Sequence, residues 1–208
     1  MTGYDYIAWL YDFIASAIFR GSILESQLHH LNLIKPNQKV LIVGGGTGQI
    51  LSKLDELDIP LVVDFLEPSG QMISRARRCA RHCSNITINF HQTRLELFNK
   101  SSSYDVIGCF YFLDLYPTSE LDQTVSGLYA IINQQGFLLV SDFQLKTGAY
   151  WQKTLSRIMH LFFRLTTGLR SKYLKKIEAV ILSHNFEKVD GREYFHQFIF
   201  SAAYKKNV

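Results

Sequence analysis

Short hydrophobic runs alternate along the chain with segments whose apolar residues recur at helical spacing. The runs have the length of β-strands and lie at residues 39–43, 61–66, 86–91, 105–110 and 136–143. Helical patterns separate most of them, at residues 48–57, 69–83 and 119–133. Because the runs are continuous, as in strands covered on both faces, the alternation predicts a parallel sheet with right-handed crossovers.

The segments outside this core predict more helices and a hairpin. The helices are expected at residues 4–19, 23–33, 151–166 and 172–184. The last two apolar runs, 186–191 and 197–204, are joined by a short connection and should pair as an antiparallel hairpin. A dinucleotide dehydrogenase would need a second parallel half here, so the hairpin argues against NAD.

Composition indicates one globular domain. The chain has 208 residues, of which 47% are hydrophobic and 19% charged, and a net charge of only +4. Nucleic-acid binding would need a concentrated basic face, and none is evident before residue 157. The odd set of cysteines (Cys79, Cys83 and Cys109) indicates a reducing compartment. With no signal peptide and no membrane-span pattern, we expect a cytoplasmic protein.

The most informative stretch is the glycine-rich turn at residues 44–48. A strand leads into it and a helix follows, so a ligand could lie against bare backbone and the helix N-terminus. A phosphate-binding P-loop is excluded, since Gly48 is followed by Gln49 and Ile50. The dinucleotide fingerprint fails at its third glycine, where Gln49 stands. A G-x-G-x-G pattern remains, which by itself is weak.

A carboxylate about twenty residues further on makes this pattern specific. Glu67 ends the second apolar run, where it could accept hydrogen bonds from both hydroxyls of a ribose. The alternative is that Glu67 only caps the helix that begins near Ser69. Gly44, Glu67, the turn at residues 91–94 and Phe110 all follow parallel strands, so they should gather at one edge of the sheet.

These motifs resemble the class I S-adenosylmethionine-dependent methyltransferases, in particular the branch that acts on quinones, lipids and other small molecules. The resemblance rests on VLIVGGGTGQIL (40–51), LEPSGQMISRAR (66–77), SYDVIGCFYFLDLYP (103–117) and LYAIINQQGFLLVSDF (128–143). It implies a Rossmann-like three-layer α-β-α fold with a seven-stranded, mostly parallel sheet whose last strand is antiparallel. It also implies one methyltransferase domain over residues 1–208, divided into an N-terminal helical lid (1–34), a cofactor-binding core (39–143), substrate-covering helices (148–184) and a C-terminal hairpin (186–204).

The resemblance also implies the residues that would bind S-adenosylmethionine. The glycines would leave room for the methionine part of the cofactor, and Glu67 would bind its ribose. The family usually has an acidic residue for the adenine, and Gln92 or Thr93 stands there instead. The full set is Tyr11, Gly44, Gly45, Gly46, Thr47, Gly48, Glu67, Pro68, Met72, Gln92, Thr93 and Phe110.

Catalysis in this class depends on positioning the acceptor and needs no protein nucleophile or metal. A general base would help if the acceptor is a hydroxyl, and the candidates are Tyr11, Tyr116, His160 and His196. Asp142 could position a substrate or cap a turn. Cys79, His82 and Cys83 lack a fourth ligand and lie among arginines, so no metal site is expected.

The apolar and basic segment 150–176 is compatible with several binding partners. It suits a hydrophobic acceptor, an anionic head group or a peripheral membrane contact, or it is a cap helix with a solvated basic face. The sequence thus predicts a methyltransferase for a small, apolar or aromatic acceptor, methylated at oxygen or nitrogen. The alternatives are an aminopropyl-type transferase with a related nucleoside cofactor and a non-catalytic cofactor-binding or interaction protein.

Overall fold

The computed structural model of the protein describes residues 19, 21–99, 101, 103–145, 151–152, 155 and 177–207. Its strands are β1 (Lys39–Val43), β2 (Leu61–Leu66), β3 (Ile86–His91), β4 (Tyr104–Phe110), β5 (Ile132–Phe143), β6 (Phe186–Tyr194) and β7 (Ile199–Lys206). Its α-helices are α1 (Ser22–Leu28), α2 (Gln49–Asp55), α3 (Gly70–Cys79), α4 (Thr118–Ile131) and α5 (Ile177–Ser183). Short 3₁₀ helices lie at Leu31–Leu33, Ala80–His82, Leu95–Leu97 and Leu113–Leu115.

The strands form one seven-stranded sheet in the order β3-β2-β1-β4-β5-β7-β6. β1 to β5 pair in parallel, whereas β7 is antiparallel to both β5 and β6. The strand order reverses between β1 and β4, and ligands of such sheets bind at the carboxyl ends around this point. The expected fold class is therefore confirmed, including the antiparallel last strand.

Helices cover both faces of the sheet. Leu121 and Val125 of α4 and Ile181 of α5 pack on one face, and Leu51 and Leu54 of α2 on the other. All five side chains are fully buried. Because β1 lies in the middle of the sheet, its apolar side chains enter both layers, as the continuous hydrophobic run indicated.

A buried carboxylate links four adjacent strands. Asp64 of β2 accepts hydrogen bonds from Tyr104 Oη at 2.7 Å, Asn89 Nδ2 at 2.9 Å and His91 at 3.2 Å, and its Oδ2 lies 3.4 Å from Lys39 Nζ. Burial alone would raise the pKa of Asp64, but these hydrogen bonds and the lysine charge outweigh it and lower that pKa.

The short helix α1 lies on the sheet near β5 and β7. The carbonyl oxygen of Ser26 accepts hydrogen bonds from Ser141 Oγ at 2.8 Å and from Ser201 Oγ at 2.7 Å. Within the described residues, no helix has both the length and the apolar character needed to cross a membrane. Most of the expected lid and substrate-covering segments lies outside the described residues, so their boundaries stay predictions.

Candidate functional site

Packing explains three of the four glycines in the turn after β1. A Cβ on Gly44 would come within 2.7 Å of the Phe112 ring, and a Cβ on Gly45 would overlap the Phe65 ring. A Cβ on Gly48 would lie 2.6 Å from Ala76 Cβ. The sequence assigned all these glycines to the cofactor, whereas in the structure they also let α3 and two aromatic rings approach the turn.

Gly46 is different, because packing does not explain its missing side chain. Its φ is +57°, and a Cβ there would meet nothing within 4 Å among the described residues. Together with the half-buried Thr47, Gly46 forms the open tip of the turn, just before α2 begins at Gln49. This tip is where a ligand can approach bare backbone.

Glu67 joins the glycine turn to the turn after β2. Its Oε2 accepts a hydrogen bond from Gly46 N at 3.1 Å, and its Oε1 accepts one from Ser69 N at 2.9 Å. Only 9% of the residue is exposed. Burial raises the pKa of Glu67, and the two backbone N–H groups oppose this shift.

The start of α3 does not depend on Glu67 alone. Ser69 is its N-cap and accepts a hydrogen bond from Met72 N at 3.3 Å through Oγ. The exposed Pro68 and the half-buried Met72 lie on either side of this cap along the chain. Ser69 is therefore the N-cap of α3, and Glu67 accepts a hydrogen bond from the backbone N–H of that cap.

The turn after β3 brings Gln92 against the same helix start. Gln92 Nε2 lies 3.0 Å from the position of a Cβ on Gly70, the first residue of α3. Thr93 instead donates a long hydrogen bond of 3.4 Å from Oγ1 to the carbonyl oxygen of Arg94. Of these two candidates for the adenine contact, Gln92 is the one that lies beside α3.

The residues after β4 form an aromatic turn. Phe110 and Phe112 are 9% exposed, and Tyr111 between them has a φ of +56°. Tyr111 Oη is 2.8 Å from Ser26 Oγ, and its ring centroid is 4.8 Å from that of Phe143. The turn thus connects the end of β4 to α1 and to the end of β5.

Tyr116 is poorly suited to act as a base. Its Oη donates a hydrogen bond of 2.7 Å to Glu96 Oε1. Burial, together with this hydrogen bond and the charge of Glu96, raises the pKa of Tyr116. Its phenol is therefore neutral and engaged near pH 7.

The sequence did not predict the hydrogen bonds that Asp142 makes. Asp142 is fully buried at the end of β5, where its Oδ2 accepts hydrogen bonds from the backbone N–H groups of Leu113 and Asp114, both at 3.1 Å. Oδ1 accepts one from Phe143 N at 2.8 Å. Burial and the nearby Asp114 carboxylate raise its pKa. Asp142 therefore holds the aromatic turn after β4, an assignment that required knowing that β4 and β5 are neighbours.

Further aromatic residues surround this end of the sheet. Phe143 packs against Phe19 and Phe198, with ring centroids 5.5 and 5.2 Å apart, and Trp151 lies 5.9 Å from Phe198. The turn between β6 and β7 adds the exposed His196, whose carbonyl oxygen accepts a hydrogen bond of 2.9 Å from Gln152 Nε2. Because β6 runs parallel to β5, this turn lies at the same edge of the sheet.

Several residues that the sequence analysis considered are not part of the site described above. Tyr11 and His160 lie outside the described residues. Cys79 is exposed, Cys83 is half-buried and Cys109 is buried. Among the described residues, Cys79, His82 and Cys83 do not bring their ligand atoms together.

Comparison with known proteins identifies the class that this fold and turn define. A family model described as a methyltransferase domain matches residues 41–138, which run from β1 into β5. Residues 41–138 are therefore a methyltransferase domain, and S-adenosylmethionine-dependent methyltransferases are among the proteins of similar fold. No curated protein sequence matches the chain.

Crystal structures of similar fold include two with S-adenosylhomocysteine bound. Magnesium protoporphyrin IX methyltransferase from Synechocystis is 18% identical, with a TM-score of 0.63 over 89% of this chain and 86% of that one. The Burkholderia thailandensis 1,6-didemethyltoxoflavin-N1-methyltransferase, which also holds 1,6-didemethyltoxoflavin, is 13% identical, with a TM-score of 0.67 over 100% of this chain and 92% of that one. A methyltransferase from Clostridium acetobutylicum is 12% identical, with a TM-score of 0.63 over 99% of both chains.

Proposed function

We propose that the protein is an S-adenosylmethionine-dependent methyltransferase that acts on a small, apolar or aromatic acceptor at oxygen or nitrogen, and that the acceptor binds at the carboxyl ends of β4 and β5. The observation that carries the cofactor assignment is the Glu67 carboxylate, which spans Gly46 and Ser69 at the open tip of the glycine turn. A carboxylate in this place can accept hydrogen bonds from the two hydroxyls of a ribose that lies across the turn.

The residues around Glu67 fit an adenosyl group. Gly46 and Thr47 would lie against the methionine part, and Pro68 and Met72 beside the ribose and adenine. We assign the adenine amino group to Gln92, because its amide lies against Gly70 whereas Thr93 bonds its own chain. When bound, S-adenosylmethionine supplies an electrophilic methyl group on a positively charged sulfur.

Aromatic side chains favour a flat, apolar acceptor. Tyr111, Phe143 and Phe198 meet between the ends of β4, β5 and β7, with ring centroids about 5 Å apart. Phe143 and Phe198 are buried and support the half-buried Tyr111 ring. The Tyr111 ring can give an aromatic ligand an offset or edge-to-face contact worth roughly 0.5–1.5 kcal/mol beyond the area buried. Its face would also stabilise a nearby cation such as a sulfonium.

The chain's own contribution to the reaction is positioning. Asp142 holds the backbone of Leu113 and Asp114, and this fixes the aromatic turn between the cofactor and acceptor sides of the site. Holding two reactants in line can supply a large part of the acceleration of such a transfer. We assign no general base, since the Tyr116 phenol is engaged with Glu96.

Calorimetric titration with S-adenosylmethionine and S-adenosylhomocysteine tests the assignment of Glu67. Glu67→Gln keeps the size of the side chain but removes its charge, and hydrogen bonds to charged groups contribute about 1.5–3 kcal/mol. We therefore expect affinity to fall about tenfold to a hundredfold. Glu56→Gln is the matched control, because Glu56 is exposed and, in the described part of the chain, pairs with Lys53 on α2. NADH should not bind.

Transfer of a labelled methyl group to phenols, quinols and lipid amines tests the acceptor class. Methylation of an aromatic phenol or amine supports the proposal. Wild-type affinity in the Glu67→Gln protein would refute the ribose assignment. Aminopropyl transfer from the decarboxylated cofactor, or binding without turnover across the panel, would instead favour one of the two alternative functions.

A further inference from the structure

Three potential metal ligands meet between the end of α1 and strand β6. His29 Nε2 is 3.8 Å, and His30 Nδ1 3.6 Å, from the same oxygen, Asp190 Oδ2. The three ligand atoms all lie within 4.8 Å of one another. In the described part of the chain, this is the group of potential ligands whose atoms are close enough to share one metal ion. It lies away from the glycine turn.

A β-bulge places Asp190 in this cluster. Lys188 lies opposite Tyr204 and Asp190 lies opposite Ala203, so two steps along β6 match one step along β7. With regular pairing Asp190 would lie opposite Ala202 and project from the other face of the sheet. The bulge turns it toward α1. Gly191 N donates a hydrogen bond of 2.8 Å to Asp190 Oδ1, which leaves Oδ2 directed at the histidines.

His30 is buried in a state that suits a metal ligand. Only 3% of it is exposed. Among the described residues Nε2 has no hydrogen-bond partner, and Nδ1 faces Asp190 Oδ2 at 3.6 Å. Metals bind the neutral form of an imidazole, through the ring nitrogen that carries no proton.

The positive charges near the cluster are engaged elsewhere. Lys188 pairs with Glu178, with Nζ and Oε2 2.8 Å apart, and the Arg192 guanidinium lies over the Tyr194 ring at 5.5 Å. The side chain of His29 is 24% exposed and that of Asp190 62%. An ion can therefore reach the cluster from solvent.

We propose that His29, His30 and Asp190 bind a divalent first-row metal ion of the Zn²⁺ type. Two imidazoles and one carboxylate form a ligand set typical of zinc, with bonds of about 2.0–2.2 Å and one remaining position for water. The ion joins the end of α1 to the bulge of β6. It thus stabilises the helix that contacts Tyr111 through Ser26, and it does not depend on the proposed acceptor.

The test is calorimetric titration of the full chain with ZnCl₂ after removal of metal by a chelator. We expect one ion per chain for the wild type. His29→Gln and Asp190→Asn change exposed ligands and should each weaken binding at least about tenfold. The matched control is His184→Gln, since His184 Nε2 pairs with Asp122 Oδ1 at 2.9 Å without a second histidine among the described residues. Its affinity for Zn²⁺ should equal that of the wild type.

A spectrum of the Co²⁺-loaded protein identifies the ligands, and circular dichroism confirms that each variant is folded. A tetrahedral cobalt spectrum that lacks a sulfur charge-transfer band and is lost in Asp190→Asn supports the site. The proposal is overturned if the wild type binds no Zn²⁺, if both variants bind it as the wild type does, or if a sulfur band places the ion at a cysteine.

Discussion

Two alanine substitutions in the glycine turn should separate cofactor binding from folding. Gly46 and Gly48 both have a left-handed backbone, with φ of +57° and +79°. They differ in what a new Cβ would meet. At Gly46 it would meet nothing within 4 Å among the described residues, whereas at Gly48 it would lie 2.6 Å from Ala76 Cβ and 2.7 Å from Ala76 Cα.

The structure gives the magnitude of each effect. A left-handed backbone costs an alanine about 1–2 kcal/mol, and this is the whole expected loss of stability for Gly46→Ala. Gly48→Ala adds overpacking against the backbone of α3, typically about 1–3 kcal/mol, for a total of about 2–5 kcal/mol. That total is a large part of the roughly 5–15 kcal/mol by which domains are stable.

Urea unfolding and titration with S-adenosylhomocysteine measure the two effects on the same proteins. We expect Gly46→Ala to remain stable but to lose at least about tenfold in affinity, because its methyl group projects from the tip where we place the cofactor. Gly48→Ala should be much less stable, yet keep its affinity where it is folded. Wild-type affinity in Gly46→Ala would refute the placement of the cofactor at this tip.

Two buried aspartates give further predictions. Asp64→Asn should lower the free energy of unfolding in urea by about 2–4 kcal/mol near pH 7, since it removes a carboxylate held by four donors. The pKa of Asp64 is lower in the folded protein than the ordinary value of 3.8. The stabilisation from its carboxylate is therefore fully present above pH 3.8 and is lost as the pH falls through the folded pKa. The difference in unfolding free energy between Asp64→Asn and the wild type should accordingly shrink in acid. Asp142→Asn should lower turnover while leaving S-adenosylmethionine affinity unchanged, because an amide cannot accept all three backbone N–H groups that hold the turn after β4. Equal turnover in Asp142→Asn and in the exposed control Asp122→Asn would contradict this role.

Strand bounds were predictable where turn residues lie at both ends of the apolar run. β1, β2 and β3 begin and end at the predicted residues for this reason. β5 begins at Ile132 instead of residue 136, since α4 runs into it without a turn and its first apolar residues resemble the end of the helix. β6 extends to Tyr194 through exposed polar residues, because an edge strand needs no hydrophobic pattern to continue.

The same contrast holds for the functional residues. The sequence indicated Glu67 and Gly46 because a glycine turn and a carboxylate about twenty residues later form a local pattern. It gave no signal for the cluster of His29, His30 and Asp190, whose third member depends on a bulge. A shift of one residue in β6 decides on which face Asp190 lies, and no periodicity argument resolves such a shift.

This contrast has a structural cause in how the two sides of the site are built. The proposed cofactor side uses consecutive strand–helix turns, so its residues follow one another along the chain at readable spacings. The proposed acceptor side depends on contacts between distant segments: the Ser26 hydroxyl forms a hydrogen bond with the Tyr111 hydroxyl, and the Ser26 carbonyl oxygen accepts hydrogen bonds from Ser141 and Ser201. Each of these serines and the tyrosine belongs to a different element, and only the strand order brings β4, β5 and β7 together under α1. The cofactor was therefore predictable from the sequence, whereas the shape of the acceptor side follows from the topology of the folded sheet.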